Sequence, residues 1–541
     1  MKKLVYGFLL IVVIGLFLAP FVYLFLMPDA DHFQKVWAHV NTIKAIQNTF
    51  IVSISVGSIC VFLGLPLAWI LTRTDLKFKN SLRSWFCLPY AIPPFVGAIG
   101  WIILANPSSG ILNQWFKLNL NIYSFSGLIF VEVSFLFTFV LLTALSVMDN
   151  LDSSLEEAAK LSGASPRQVF LHIILPLLKP ALITGFVLSS LATAASFGVP
   201  ALIGGPARIY LMTTQIFTFQ RMGTTEGLQL AIATSVVLAL LSLIVLYINQ
   251  LLMSRNKVST IGGKSSQKTY MKLHQWNTPL LFLLLAVLFI IFILPIMALL
   301  LSALSPIQGS WNLSALSFIN FKRVLFETDE TGRAIVQSLF LGFCAAMIST
   351  VFAFFFNYFV YRTKWIGRHL ASVLTSVPFT IPGTVVSLAV ILSFSRGYFG
   401  FGPSPYNTLW IILIAYIIKY MSLGVKTVGD GYQQINASLE EAARISGANW
   451  WQVMITIYWP LLKSSLVASV FLIFMPVVSE LTMTVLLTGP GLETLGPLIF
   501  QFQEYSDIGG GGAAVLSVLV VGAILVLNFS LKKISQGRYG L

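Results

Sequence analysis

Charge is what this chain has little of. Asp, Glu, Lys and Arg make up 10% of its 541 residues, against roughly 25% in a soluble chain, which excludes an ordinary cytosolic enzyme. Cysteine is almost absent too. Cys60, Cys87 and Cys344 all fall in apolar runs without disulfide or metal-ligand spacing, and read as small buried apolar residues. No HExxH, paired-cysteine or nucleophile-elbow pattern occurs, so no metal site or hydrolytic centre is assigned. Gly263-Lys264-Ser265 imitates the end of a phosphate-binding loop, but Val258 stands where the required glycine belongs. A flexible linker explains that tripeptide, and the chain is not expected to be an enzyme.

What is present is apolar: hydrophobic residues make up 57% of the chain and the mean hydropathy is +0.86. Stretches of ~20 residues, enough to cross a ~30 Å hydrocarbon core, occur twelve times. They lie near 4–27, 46–71, 85–105, 126–148, 177–198, 228–252, 279–304, 335–360, 370–395, 408–428, 464–488 and 513–531. The first run is too long for a secretory signal and no cleavage site follows it, so it is read as a retained helix. The net charge of +14 is a topology signal. With the N-terminus in the cytoplasm, 22 Lys and Arg fall in cytoplasmic segments and 9 in outer ones, as the positive-inside rule requires. Both termini are therefore expected in the cytoplasm, with lipid and not nucleic acid as the surroundings.

One repeat dominates the sequence. SLEEAAKLSGASPRQVFLHIILPLLKPAL, starting at Ser154, recurs as SLEEAARISGANWWQVMITIYWPLLKSSL, starting at Ser438, an offset of 284. A second match, offset by 289, pairs Arg73, Pro89 and Pro93 with Arg362, Pro378 and Pro382. Each half holds six spans, an even number, so both enter the membrane in the same sense, as a parallel repeat about an axis along the membrane normal. The expected organisation is a first lobe over 1–253, a polar linker over 254–275 and a second lobe over 276–541.

The repeated segment, 154–180 and 438–464, encodes a helix, a turn and a second helix. Ser154 with Glu157, and Ser438 with Glu441, have capping-box spacing, while Glu156–Lys160 and Glu440–Arg444 are i,i+4 pairs. Gly163 and Gly447 stand where a left-handed residue stops the first helix. Ser165 and Asn449 can cap the second, with Gln168 and Gln452 three residues on. Pro176 and Pro460 are expected to end or bend that second helix. Ala158, Ala159 and Ser162, with Ala442, Ala443 and Ser446, offer a small-residue face for docking. One such hairpin is an ordinary capped loop; two at matched topology point to two equivalent partners.

The Glu157, Gly163, Pro176 and Glu441, Gly447, Pro460 spacing resembles the EAA loop of ABC-importer permeases, and the resemblance covers both halves almost entirely, including LPYAIPPFVGAIGWIILANP from Leu88 and SELTMTVLLTGPGLETL from Ser479. It implies an all-α integral membrane protein of the bacterial inner membrane, with about twelve transmembrane helices in two six-helix repeats of the type I importer kind. In that family the loop is the coupling helix that sits in a groove of the ATP-binding subunit. This implies coupling roles for Glu156, Glu157, Ala158, Ala159, Gly163, Ala164 and Pro176, and for Glu440, Glu441, Ala442, Ala443, Gly447, Ala448 and Pro460. More narrowly the chain looks like the fused permeases of ferric-iron importers. The resemblance then implies two ATPase subunits that carry ATP and Mg, a periplasmic or lipid-anchored substrate-binding protein, and no cofactor on this chain. Permeases for thiamine and phosphonates are similar. The second copy departs from the first at Tyr458-Trp459, which stand for Ile174-Leu175.

Charges within the membrane are costly and mark function. Glu132 and Glu480 fall in the outer thirds of spans four and eleven. They read either as hard oxygen ligands for a passing cation or as interfacial groups bonding a neighbouring helix, with Glu480 preferred because its segment carries the resemblance. Lys419 and Lys426 are placed at the cytoplasmic end of span ten, with no transport role. Pro93, Pro94 and Pro382, with Pro89 and Pro378, are expected to kink or interrupt spans three and nine, either as gate or hinge positions or as packing kinks. An ion-coupled secondary transporter also has a six-plus-six repeat, but the loop TRTDLKFKNSLR lacks the Gly/Asp/Arg-rich motif of that class.

Overall fold

A computed structural model describes residues 2–151, 153–255, 270–364, 367–505 and 511–534. Most of the linker over 254–275, the tripeptide at Gly263, and Gly509 and Gly510 of the last outer loop lie outside the described residues, as does the side chain of Lys160. Among the described residues the protein is helical throughout, without a named strand.

Among the described residues ten helices are long and apolar enough to cross a membrane: Val5–Leu26, Val40–Arg73, Phe125–Asn150, Pro166–Ala195, Thr225–Leu252, His274–Leu304, Asp329–Arg362, Leu409–Gln434, Trp450–Val478 and Gly512–Ser530. Two further pairs qualify only together, Lys79–Ala91 with Pro94–Ala105, bent by 97°, and Arg368–Thr380 with Gly383–Phe394, bent by 112°. Counted along the chain they make spans three and nine of twelve. The breaks follow from proline chemistry. Ile92 and Ile381 each precede a proline and are forced into extended backbone, with ψ of 132° and 136°, because the ring excludes the helical region for the residue before it. Pro89 and Pro378 break nothing; they sit within the helical halves.

Elsewhere proline is accommodated. Spans one, five, seven and eleven each widen into a π-turn, at Val13–Leu18, Phe170–Ile174, Phe289–Ile293 and Met454–Tyr458, immediately before Pro20, Pro176, Pro295 and Pro460. A wide turn takes up the missing N–H and the ring that would collide with the preceding turn. Pro176 and Pro460, expected to end or bend the second helix of the hairpin, do not end it. That helix runs on as the membrane span, Pro166–Ala195 in one lobe and Trp450–Val478 in the other.

The packing units differ from the sequence halves. One core joins spans two to five with spans seven and twelve, and the other joins spans eight to eleven with spans one and six. Span one lies against broken span nine, and span seven against broken span three. Each half thus packs against the broken span of the other. The chain entering span seven is also stitched to lobe one: Met271 N donates to Arg73 O at 2.9 Å, Leu273 N to Asp75 Oδ1 at 2.8 Å, and Lys79 stands 3.3 Å over the Tyr270 ring.

Candidate functional site: two surface hairpins and a cavity between the lobes

The hairpins lie on one side of the bundle, between spans four and five and between spans ten and eleven. Their turns form as the sequence specifies. Gly163 and Gly447 adopt φ of 84° and 83°, and Ala164 N and Ala448 N reach back to Ala159 O and Ala443 O at 3.0 Å, which closes each helix with a left-handed cap. Ser165 with Gln168 and Asn449 with Gln452 make reciprocal capping boxes. The proposed box at Ser438 does not form: the second hairpin helix starts at Ser438 itself, capped by no side chain.

The glutamates divide into two kinds. Glu156 and Glu440 are buried at 5% and 9% exposure and point into the bundle, whereas Glu157 and Glu441 are exposed. Glu156 pairs with Arg73 of span two at 3.0 Å, both side chains buried. Glu440 accepts from the Tyr358 hydroxyl at 2.9 Å, the Tyr458 hydroxyl at 2.5 Å and the Arg444 guanidinium at 2.5 Å. Burial acts to raise the Glu440 pKa, but the bonds from Tyr458, Arg444 and Tyr358 outweigh it and hold the carboxyl below its usual value. Arg362, the counterpart of Arg73, instead donates to Tyr432 O and Ile435 O at the end of span ten. The Tyr458 substitution therefore supplies one of the anchors that replace the arginine in lobe two.

What the hairpins present outward was missed in the sequence. Leu161 and Ile445, at matched positions, are 90% and 88% exposed, and Leu155 and Leu439 are half-exposed. Ala158 and Ala442 are exposed beside them, while Ala159, Ala164, Ala443 and Ala448 are half-buried. Each hairpin is an apolar knob fixed from below by a buried carboxylate. The signal was available: a large apolar residue one turn after the alanines, kept in both copies.

Between the lobes lies a cavity of about 540 Å³. Glu132, Glu480, Pro93, Pro94 and Lys419 line it; Pro382 does not, being buried at the break behind Gly383, which does. Glu480 sits just beyond the end of span eleven and accepts from Met483 N at 2.9 Å, Thr484 N at 3.0 Å and the Thr484 hydroxyl at 2.6 Å. Glu132 is fully buried, and neither of its oxygens has a hydrogen-bond partner. The two acids thus differ: the Glu480 carboxylate is taken up by the turn that follows it, whereas the buried Glu132 carboxylate has Ser196 as its nearest polar neighbour. Lys419 overturns its expected place. It stands well inside Leu409–Gln434, lines the cavity, and donates to Phe379 O at 2.9 Å and to Ile381 O. Lys426 is exposed.

On the side away from the hairpins the cavity is roofed. Phe197 packs on Phe217 and Phe500 with ring centroids 4.9 and 5.5 Å apart. These rings belong to the segments that carry short helices Met212–Arg221 and Leu495–Tyr505. Arg221 donates to the Tyr505 hydroxyl at 2.7 Å, so the ends of Met212–Arg221 and Leu495–Tyr505, one from each lobe, touch at the closure.

The model of the binding-protein-dependent transport system inner membrane component family matches residues 60–258 and again 348–538. The chain belongs to this family. The permease is 23% identical over 84% of its length to the putative ferric transport system permease protein FbpB 1 of Haemophilus influenzae, covering 72% of that protein. It is 24% identical over 97% of both chains to the Fe(3+)-transport system permease protein FbpB 2 of the same organism. A putative 2-aminoethylphosphonate transport system permease protein, PhnV of Salmonella paratyphi A, is 29% identical over 38% of the permease and 74% of its own length. The family match sets aside the ion-coupled carrier, and the two matched segments show the domain to be present in two copies.

Proposed function

We propose that this permease is the membrane-spanning subunit of an ATP-driven importer that takes ferric iron from a soluble binding protein and passes it into the cytoplasm. The carrying observation is the pair of equivalent hairpins that present Leu161 and Ile445 on anchored helices. Two ATPase subunits would dock there, which puts the hairpin side and both termini in the cytoplasm and the Arg221–Tyr505 closure outside. ATP binding draws the hairpins together, the lobes rock, the closure opens, and hydrolysis resets them. ATP and Mg are held by those partners. The ferric assignment rests on relatives that match both halves. Glu132 supplies hard oxygens along the path, and Pro93, Pro94 and Pro382 set the hinges beside it.

A second reading keeps the permease role with a phosphonate as cargo. Lys419 opposite the acids favours it, because a zwitterion has a group for each charge. The docking claim is tested by Leu161→Asp combined with Ile445→Asp: the variant should insert normally and fail to co-purify with the ATPase subunits. Retention of both subunits would overturn it.

A further inference from the structure

Span nine breaks beside the cavity, and a lysine holds the break. Thr380 ends one helix and Gly383 begins the next, and Pro382 has no N–H to offer, so carbonyls near the break lose their helical partners. The Lys419 ammonium, reaching from span ten, takes up Phe379 O and Ile381 O. The turn after span eleven presses on the same break: a Cβ at Gly383 would meet Met483 Cγ at 2.9 Å. Glu480 fixes that turn through Met483 N and Thr484 N.

Lobe one breaks in the equivalent place and is held differently. The offset of 284 carries Lys419 onto Phe135, whose ring packs so closely on span three that a Cβ at Gly97 would meet its Cζ at 2.0 Å. One hinge is therefore tethered by a charge and the other by an apolar contact. An ammonium among apolar helices is costly unless paired. Carbonyl dipoles meet part of that demand, and Glu480, which lines the same cavity, is the carboxylate whose charge acts on the ammonium.

We propose that Lys419 is a positioning residue of the transport gate: it holds the hinge of span nine while the cavity is empty, and a cargo cation arriving at Glu132 and Glu480 takes over the negative charge that keeps the ammonium there, which frees the hinge. The proposal rests on reading the cavity as the transport path. It makes occupancy by a cation the signal that lobe two responds to, while lobe one follows the ATPases alone.

The test uses the complete transporter in proteoliposomes, with ATPase subunits and iron-loaded binding protein. Lys419→Met should raise cargo-free ATP hydrolysis and lower Fe³⁺ moved per ATP, each by roughly tenfold, and Lys419→Arg should stay near wild type. With Lys419 intact, Thr380→Cys at the break of span nine should gain thiol labelling only when iron-loaded binding protein accompanies ATP. Ala91→Cys at the break of span three should respond to ATP alone, each read against the background of Cys60, Cys87 and Cys344. An unchanged coupling ratio in Lys419→Met overturns the proposal. So does a matched response of the two cysteines, which decides the matter even if Lys419→Met fails to insert. Gly163→Asp with Gly447→Asp, run in parallel, separates the two claims: full coupling there removes the importer reading, and its loss beside a normal Lys419→Met removes only this inference.

Discussion

At the residue scale, the first glutamate of each repeated motif is a foundation rather than a cap. Glu156 and Arg73 form a buried ion pair, and removing one partner of such a pair leaves an uncompensated charge. Arg73→Met is expected to destabilise the detergent-solubilised protein by about 3 kcal/mol, read as a lowered Tm, whereas Glu157→Gln, at an exposed site, should leave it unchanged. Glu440 carries a pH prediction. Its folded pKa lies below the ordinary 4.5, so the stability it contributes is present above that value and is lost as pH falls through the folded one. Hydrogen-exchange protection over 438–449 should stay level from neutral pH down to about 5 and fall below the usual carboxylate range; a fall between pH 7 and 6 would contradict the assignment. The Glu440–Arg444 pair was legible as an i,i+4 pair and forms; the other partnerships were not legible in the sequence. Arg73, Tyr358 and Tyr458 lie well away from these acids along the chain, and the i,i+4 spacing offered a local partner instead. Lys419 was misplaced for a related reason: a lysine in an apolar run reads as snorkelling unless the break that needs its N–H groups is known.

At the element scale, periodicity and local chemistry carried well. The hairpin turns, their glycine caps and the Ser165 and Asn449 boxes form as their sequence specifies, because each depends only on residues three or four apart. Gly163 and Gly447 have positive φ and open space where a side chain would go. Substitution there costs roughly 1–2 kcal/mol of backbone strain per site, confined to the hairpin. Gly163→Asp with Gly447→Asp should therefore leave membrane insertion intact and remove transport-coupled ATPase activity, with Gly→Asn at both sites milder because Asn tolerates the left-handed region. Coupled activity in the Asp variant would contradict the role of the hairpins. The two broken spans were legible from Ile-Pro sequences. The π-turns were not, because proline in a helical pattern signals disruption without saying whether the helix kinks, breaks or widens.

At the scale of the whole molecule, the duplication was plain in the sequence, but the exchange of spans one and seven between cores was not, since packing between elements far apart along the chain leaves no periodic trace. That exchange joins the lobes, while on the proposed import path the Arg221–Tyr505 contact and the aromatic cluster beneath it are the contacts to part for cargo to enter. Arg221→Cys with Tyr505→Cys, bridged by a short bis-maleimide, should stop uptake, and each single variant so treated should transport; uptake by the bridged protein would place the entry elsewhere. The central claim is that this permease imports ferric iron by coupling to ATPases through two hairpins. Uptake of labelled Fe³⁺ by iron-starved cells lacking the gene, with labelled thiamine and 2-aminoethylphosphonate in parallel, tests it most directly. The account predicts a loss confined to iron, restored by the wild-type gene and not by the double glycine variant. Unchanged iron uptake with loss of either other solute would contradict it.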